Sequence, residues 1–535
     1  MSSSEYPAQR LGGPWLHRLR AGAGAQPIPA DVWAVCLLVV LAAAIRFATI
    51  ATQSFWTDEA LTVYEVRLPL GAMINTVAHY ETSPPLYFLS VWAWGHVFGT
   101  SEAGLRSLSA LAGIVFVPIA YVVGRELVSR WAGLLTAAFV AVNPFLIWYS
   151  QEARAYMLLA AFAGASLLWF VRARREPSGR NLAWWAIFSA LALMTHFFAG
   201  FVVAPEAVWL LWIHRTRAVA LAVAVVTVAQ AAMAPFALID TGHGVQWIAL
   251  TPRHVRIGQV PIEFSLNTLY RQYTPTEGLL GGAVVLVAAV ALLALGGDRR
   301  TREGAAVAAA IAGIAILAPL LLGFVGQDYF LARNLIAAWL PLAIAVAAAC
   351  AVPRARLAGG LLAAALIAVF VYGTINVQGD QFLQRPAWRA LARSLGTRTV
   401  PRAIMAADGT TADPLKIYLP GVSWVQQPTQ PFLIDEIDVI GTRTRESLIV
   451  TGPSSTAVAN GHRPPPSIGV AIPRSISVRG ATLLTRFSLN FWVVARYRLH
   501  HPEVFDIRRL AKLAPRYFRR TPAALLVFVQ RSPKL

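Results

Sequence analysis

Eleven apolar runs of membrane-spanning length occupy the chain up to residue 376, and they constrain its fold more than any other feature. Crossing a hydrocarbon core of about 30 Å takes about 20 apolar residues, helical because backbone groups find no water partners in lipid. The runs cover 32–50, 106–124, 132–149, 155–171, 182–197, 198–213, 218–239, 279–297, 304–324, 334–350 and 357–375. Only 13% of residues are charged, about half the share of a soluble chain. The fold class is therefore an all-α polytopic membrane protein. No secretory signal peptide is evident: the first 30 residues are polar and basic, and the first apolar run is already a span in length. Cys36 and Cys350 both fall in spans, so no structural disulfide is expected.

The formal charge is +20, with 46 Lys and Arg against 26 Asp and Glu. Placing the N-terminus inside makes the inner loops GRELVSR, RARREPSGR, HRTR, GGDRRTREG and PRAR, all basic. The positive-inside rule thus accounts for much of the charge, and nucleic-acid binding is not expected. The apolar segment 84–98 is too short to span and rich in Trp and Tyr, so it reads as a helix along the outer surface. The outer face then receives TDEALTVYE, HYETSPPLY, WYSQEARAY, the 240–278 loop and GQDYFLARN. Three regions follow: a basic cytoplasmic tail over 1–30, a transmembrane domain over 31–376 with an outer loop at 52–105, and an extracytoplasmic domain over 377–535. In the last, short runs such as SLIVT and SIGVAI read as strands and later Arg/Tyr-rich stretches as helical, giving a small α+β unit. Its basic part, Arg486 to Arg520, suits anionic lipid phosphates or a wall polymer, or is simply a solvated face.

The polar clusters carry the chemistry. Asp58 and Glu59 follow the first span, where a carboxylate partly shielded from water becomes a usable base. Adjacent helical residues do not share a face, so the two should diverge. Glu81 precedes Pro84-Pro85 and would be aimed toward Asp58. The two could hold a divalent metal such as Mg or Mn, or divide into base and orienter. Glu81 could equally be a polar lead-in to a helix. His79, Tyr87, Tyr149, Gln151, Glu152, Tyr156 and Asp328 are candidate substrate contacts. Arg106, Arg154, Tyr329 and Arg333 are candidates for binding a donor phosphate, the last two spaced i, i+4 on an expected helix. There is no P-loop, HExxH, CxxC, dinucleotide fingerprint or GxSxG, so an activated substrate would arrive in the lipid phase.

FWTDEALT, ETSPPLYFLSVWAWGHVFGTSEAGLRSLSALAG, GRELVSRWAGLL and NPFLIWYSQEARAYMLLA resemble, in order, the N-terminal half of bacterial family-39-like glycosyltransferases of the GT-C type. That superfamily includes protein O-mannosyltransferases, the lipid A aminoarabinose transferase and dolichyl-phosphate-mannose-mannosyltransferase-like proteins. The likeness continues at DYFLARNLIAAWLPL and faintly at QRPAWRALARSL. It implies transfer of a sugar, mannose or another pentose or hexose, from a polyprenyl-phosphate donor to a glycan, glycolipid or protein hydroxyl outside a bacterial plasma membrane. It also implies an essential aspartate at Asp58, a second acid at Glu81 and a surface helix after them. Many relatives have Asp-x-His-Pro-Pro where this chain has Glu81-Thr82-Ser83-Pro84-Pro85, which puts metal binding in question. The expected chemistry is a single inverting displacement. The competing classes are a lipid-linked sugar or polyprenyl flippase and a non-catalytic envelope-assembly subunit.

Overall fold

The computed structural model describes residues 29–239, 248–249, 251–268, 273–406, 413–419, 424–426, 432–442, 480–489, 492–505 and 526–530. The basic tail, SLIVT, SIGVAI and the Arg508–Arg520 stretch lie outside the described residues.

The first span is α1 (Ala30–Ala48). The segment after it, expected to be a loop, is mostly helical: α2 (Thr57–Val66), α3 (Leu70–Tyr80) and α4 (Leu86–Phe98). Pro69 and Pro85 stand at the N-caps of α3 and α4, where a missing N–H costs nothing. α4 starts two residues after the expected boundary, and its 13 residues reach about 20 Å, short of a bilayer core. These helices share an apolar core of Phe55, Val63, Val66, Met73, Tyr87 and Phe88 that closes against Leu105 and Ala153.

After α5 (Glu102–Leu127) the expected span 132–149 is broken into α6 (Arg130–Val142) and α7 (Pro144–Ser150), bent by 57°. Pro144 has no N–H, so the Val140 carbonyl loses its helical partner. Arg46, fully buried on α1, supplies the replacement: Nη2 donates to Val140 O at 3.0 Å and Nη1 to Ala141 O at 3.0 Å. Its Nε donates to Ser150 Oγ at 3.0 Å. A Cβ on Gly113 would lie 2.3 Å from that hydroxyl, so glycine is what lets α5 approach. A charged residue inside a span thus serves the backbone, at the bend that aims the following turn.

The remaining helices are α8 (Tyr156–Arg175), α9 (Gly179–Thr195), α10 (Gly200–His214), α11 (Arg217–Ala232), α12 (Ala234–Ile239), α13 (Arg253–Leu266), α14 (Pro275–Gly296), α15 (Arg299–Leu322), α16 (Ile336–Cys350) and α17 (Arg356–Gly379). Among the described residues nine helices are long and apolar enough to cross a membrane, and the bent α6–α7 pair makes a tenth. The eleventh expected span, α9, has 17 residues, about 25 Å. The loops expected inside meet at one end. Arg172 pairs with Glu126 at 2.5 Å, Arg130 with Asp31 at 3.3 Å, and the Arg354 N–H donates to Gly296 O at 3.3 Å.

The C-terminal region contains α18 (Trp388–Leu395), α19 (Asp413–Tyr418) and one mixed sheet. Its strands are β1 (Arg402–Ala406), β2 (Trp424–Gln426), β3 (Phe432–Thr442), β4 (Ala481–Ser488), β5 (Trp492–Phe505) and β6 (Leu526–Gln530), in the order β2-β6-β1-β3-β5-β4. Only β1 and β3 pair in parallel. The Arg/Tyr-rich stretch read as helical is in fact β5, because its alternation lets Val494 and Trp492 enter the core while it pairs along β3. Nor is it all a basic surface: Arg496 and Arg402 are buried around Asp438 at 2.7 and 3.0 Å.

Candidate active site

Asp58 and Glu59 occupy the first turn of α2, where carboxylates suit the helix dipole. Being adjacent on a helix, they point apart. Glu59 turns inward and is fully buried. Arg106 grips it bidentately at 2.7 and 2.7 Å, and the Ala153 N–H donates to it at 2.9 Å. Arg106 also donates to the carbonyls of Ile50, Gln53 and Ser54. Burial pushes the Glu59 carboxyl up, but Arg106, Arg385 and the Ala153 N–H together leave it below the usual range. Glu59, expected beside Asp58 as a catalytic acid, is thus bonded into the scaffold, and every N–H of the Arg106 guanidinium, expected to meet a phosphate, is directed at Glu59 or a backbone carbonyl.

Asp58 turns the other way, with its side chain 30% exposed. Its Oδ2 lies 3.5 Å from Arg333 Nη1. Aromatic rings wall this opening in a chain of contacts. Tyr149 and Tyr156 meet edge-on at 4.9 Å, Tyr156 lies 5.9 Å from His196, and Phe198 links His196 to Tyr329. The Arg333 guanidinium sits 6.0 Å from the Tyr156 ring. Asp58, Tyr149, Tyr156, Tyr329 and Arg333, drawn from three stretches of sequence, are therefore linked in one cluster. The expected helix joining Tyr329 to Arg333 is absent, however. Residues 328–331 form no helix, Leu331 is extended, and a 3-10 turn begins only at Ala332.

Other expected residues are used up internally. Arg154 clamps Glu81 at 2.9 and 2.7 Å, so the acid and the base neutralise each other. Each Glu81 oxygen accepts from Arg154, and the Asp58 carboxylate lies beside Arg333. Among the described residues no three His, Cys, Asp or Glu side chains converge on a metal-sized site. Asp328 is held by Arg256 at 2.7 and 2.6 Å, which sets its carboxyl below the usual range. Gln151 donates to Arg46 O and Thr49 Oγ1, each at 2.8 Å, and His79 is exposed on α3, bonded to its own helix at Asn75 O. Tyr87 is fully buried with an unpartnered hydroxyl. Glu152 is buried, one oxygen 2.9 Å from Arg385 Nη2 and the other unpartnered; burial lifts its carboxyl.

Two participants were missed from the sequence. Arg385, in the faint QRPAWRALARSL likeness, stacks 4.1 Å over Trp148 and bonds Glu152, and its backbone N–H donates to Gln53 Oε1 at 3.0 Å. That likeness was the available signal. Glu65 gave none, since one helical turn of α2 looks like any exposed acid. It is 3% exposed with one oxygen unpartnered, and burial followed by the Glu81 charge lifts its carboxyl to about 9. Folded protein thus holds this proton more tightly than unfolded chain, whose Glu titrates at about 4.3. The stabilisation is complete below that value and is lost as pH climbs toward 9. Glu65→Gln cannot ionise, so its Tm advantage over wild type should be small at pH 5 and grow by roughly 2 °C or more by pH 9. Melting curves in detergent at both pH values check this; a gap that does not grow with pH would refute it.

Residues 82–239 match the family model described as dolichyl-phosphate-mannose-protein mannosyltransferase. The structure of ArnT from Cupriavidus metallidurans in the apo state is similar with a TM-score of 0.50 at 14% identity, covering 91% of this chain and 100% of that one. The archaeal oligosaccharyltransferase AglB from Archaeoglobus fulgidus, in complex with an inhibitory peptide and a dolichol-phosphate, gives 0.43 at 13% identity over 68% of this chain and 57% of its own. The S. cerevisiae Pmt1-Pmt2 complex gives 0.32 at 18% identity, with 40% and 33% covered. No curated protein sequence matches. The likeness to ArnT gives the fold, and the resemblance to GT-C proteins read from the sequence holds.

Proposed function

We propose that this GT-C-fold chain is a membrane glycosyltransferase that moves a sugar from a polyprenyl-phosphate donor to an acceptor hydroxyl. One observation carries the reading: Asp58 is a partly open carboxylate beside Arg333, at the mouth of an aromatic-walled site. The description of the matching family model supports the donor class.

In the proposed reaction Asp58 accepts the proton of the acceptor O–H as that oxygen bonds the anomeric carbon. The bond from that carbon to the phosphate oxygen breaks, and the lipid phosphate leaves with the electron pair, inverting the centre. A phosphate is already a good leaving group, so no acid is needed; its charge is met by Arg333. Arg154, expected to share this task, is committed to Glu81. The gathering of these groups at the end opposite the basic loops supports placing the site on the outer face.

The test supplies purified protein in proteoliposomes with a panel of polyprenyl-phosphate sugars and crude envelope as acceptor, following free polyprenyl phosphate. Release from one donor is expected; silence across the panel refutes the reading. Arg333→Ala should raise the donor KM about 10-fold or more and leave the acceptor KM in place. An unchanged donor KM would remove Arg333 from phosphate binding.

A further inference from the structure

The face of α13 that meets the Asp328–Arg333 segment carries two polar side chains that the protein leaves unserved. Arg256 fixes which face this is: it bonds Asp328 and donates to Phe330 O at 2.8 Å. Gln259 and Glu263 lie three and seven residues further along, on the same side of the helix. Gln259 is 5% exposed and its Nε2 has no hydrogen-bond partner. Glu263 is 9% exposed and makes no side-chain hydrogen bond or ion pair among the described residues. The hydroxyl of Thr268, 2% exposed just beyond α13, is also without a partner.

Leaving buried polar groups unpaired costs about 1–3 kcal/mol each, and native proteins seldom do so without a use. Glu263 sits within the fields of Arg333 and Tyr149. Burial pushes its carboxyl up to about 7 against the pull of Arg333. The arginine that pairs with Asp58 is therefore also within electrostatic reach of Glu263, on the α13 side. If Asp58 meets the acceptor and Arg333 the phosphate, the remaining partner for Gln259 and Glu263 is the group being transferred. A carboxylate accepts O–H bonds and a carboxamide N–H donates to oxygen, which together complement neighbouring hydroxyls on a ring. The Tyr149 ring, within the field of Glu263 and edge-on to Tyr156, offers apolar area for that ring.

We propose that Gln259 and Glu263 read ring hydroxyls of the transferred sugar and so set which donor is accepted, a role that rests on the transferase reading above. The experiment compares full-length wild type, Glu263→Ala, Glu263→Gln and Gln259→Leu in proteoliposomes. Each receives the polyprenyl-phosphate sugar that wild type prefers and the deoxy analogues of that sugar. Glu263→Ala should lower kcat/KM for the preferred donor at least about 100-fold, yet less than about threefold for the analogue lacking the hydroxyl it reads. Glu263→Gln should recover part of the loss, and Gln259→Leu should flatten selectivity at a neighbouring position. Equal losses on every donor would mean that these residues only support the fold, and unchanged kcat/KM would mean that they touch nothing; either overturns the proposal while the transferase stands. A wild type silent on all donors overturns both. Should Glu263→Ala fail to fold, the other two variants decide.

Discussion

Asp58→Asn should give a folded protein that releases polyprenyl phosphate at least about 100-fold more slowly than wild type. The carboxamide keeps the size of the side chain but cannot take the acceptor's proton. Little structural damage is expected, because the Asp58 side chain is 30% exposed and its ion pair with Arg333 is long at 3.5 Å. What anchors this stretch of α2 is the backbone: Asp58 O accepts from Thr62 and Arg154, and both bonds survive the substitution. Initial rates in proteoliposomes, read beside melting curves of the same preparations, separate the two effects. Turnover close to wild type would end the assignment of Asp58 as the base.

The second large effect falls on stability, one residue along. Arg106→Ala should destabilise the protein by about 3–5 kcal/mol, since it strands a buried Glu59 carboxylate. It also removes the donors to Ile50, Gln53 and Ser54, which lead the chain into α2. Replacing both partners together, as Glu59→Leu with Arg106→Met, should cost less than either single change, because no unpaired charge is then left inside. Thermal unfolding of the single and double variants checks the order. A stable Arg106→Ala protein whose only defect is a raised donor KM would restore the phosphate-binding role expected from sequence.

Much of the architecture was legible because hydrophobic length and loop charge are local properties. The apolar runs gave the spans, and the basic loops gave a sidedness that the pairs Arg172–Glu126 and Arg130–Asp31 respect. Asp58 stood out in the sequence too, by its place after the first span and its likeness to a familiar motif. The bonding partners of the other polar residues were not legible. Arg106, Arg154, Asp328 and Gln151 were expected to meet substrate, and each serves another residue of the protein. A sequence shows that a charge is present; whether it is spent on Glu59, Glu81 or Arg256 depends on partners dozens of residues away. Arg385 and Glu263 show the converse. Arg385 lies in a stretch with only a faint likeness and Glu263 in one with none, and the surroundings of each are set only when distant segments meet.

The sequence by itself determined that the chain is a polytopic membrane protein, where most of its long apolar helices lie, and that two acids stand together after the first of them. Lipid excludes unpaired backbone and charge over about 20 residues at a time, and that requirement can be read along a line. Only the tertiary structure decided that Asp58 faces the opening while Glu59 is sealed against Arg106. A helix separates neighbouring side chains by about 100°, and which of the two directions is inside depends on where α5 and the turn before α8 come to rest.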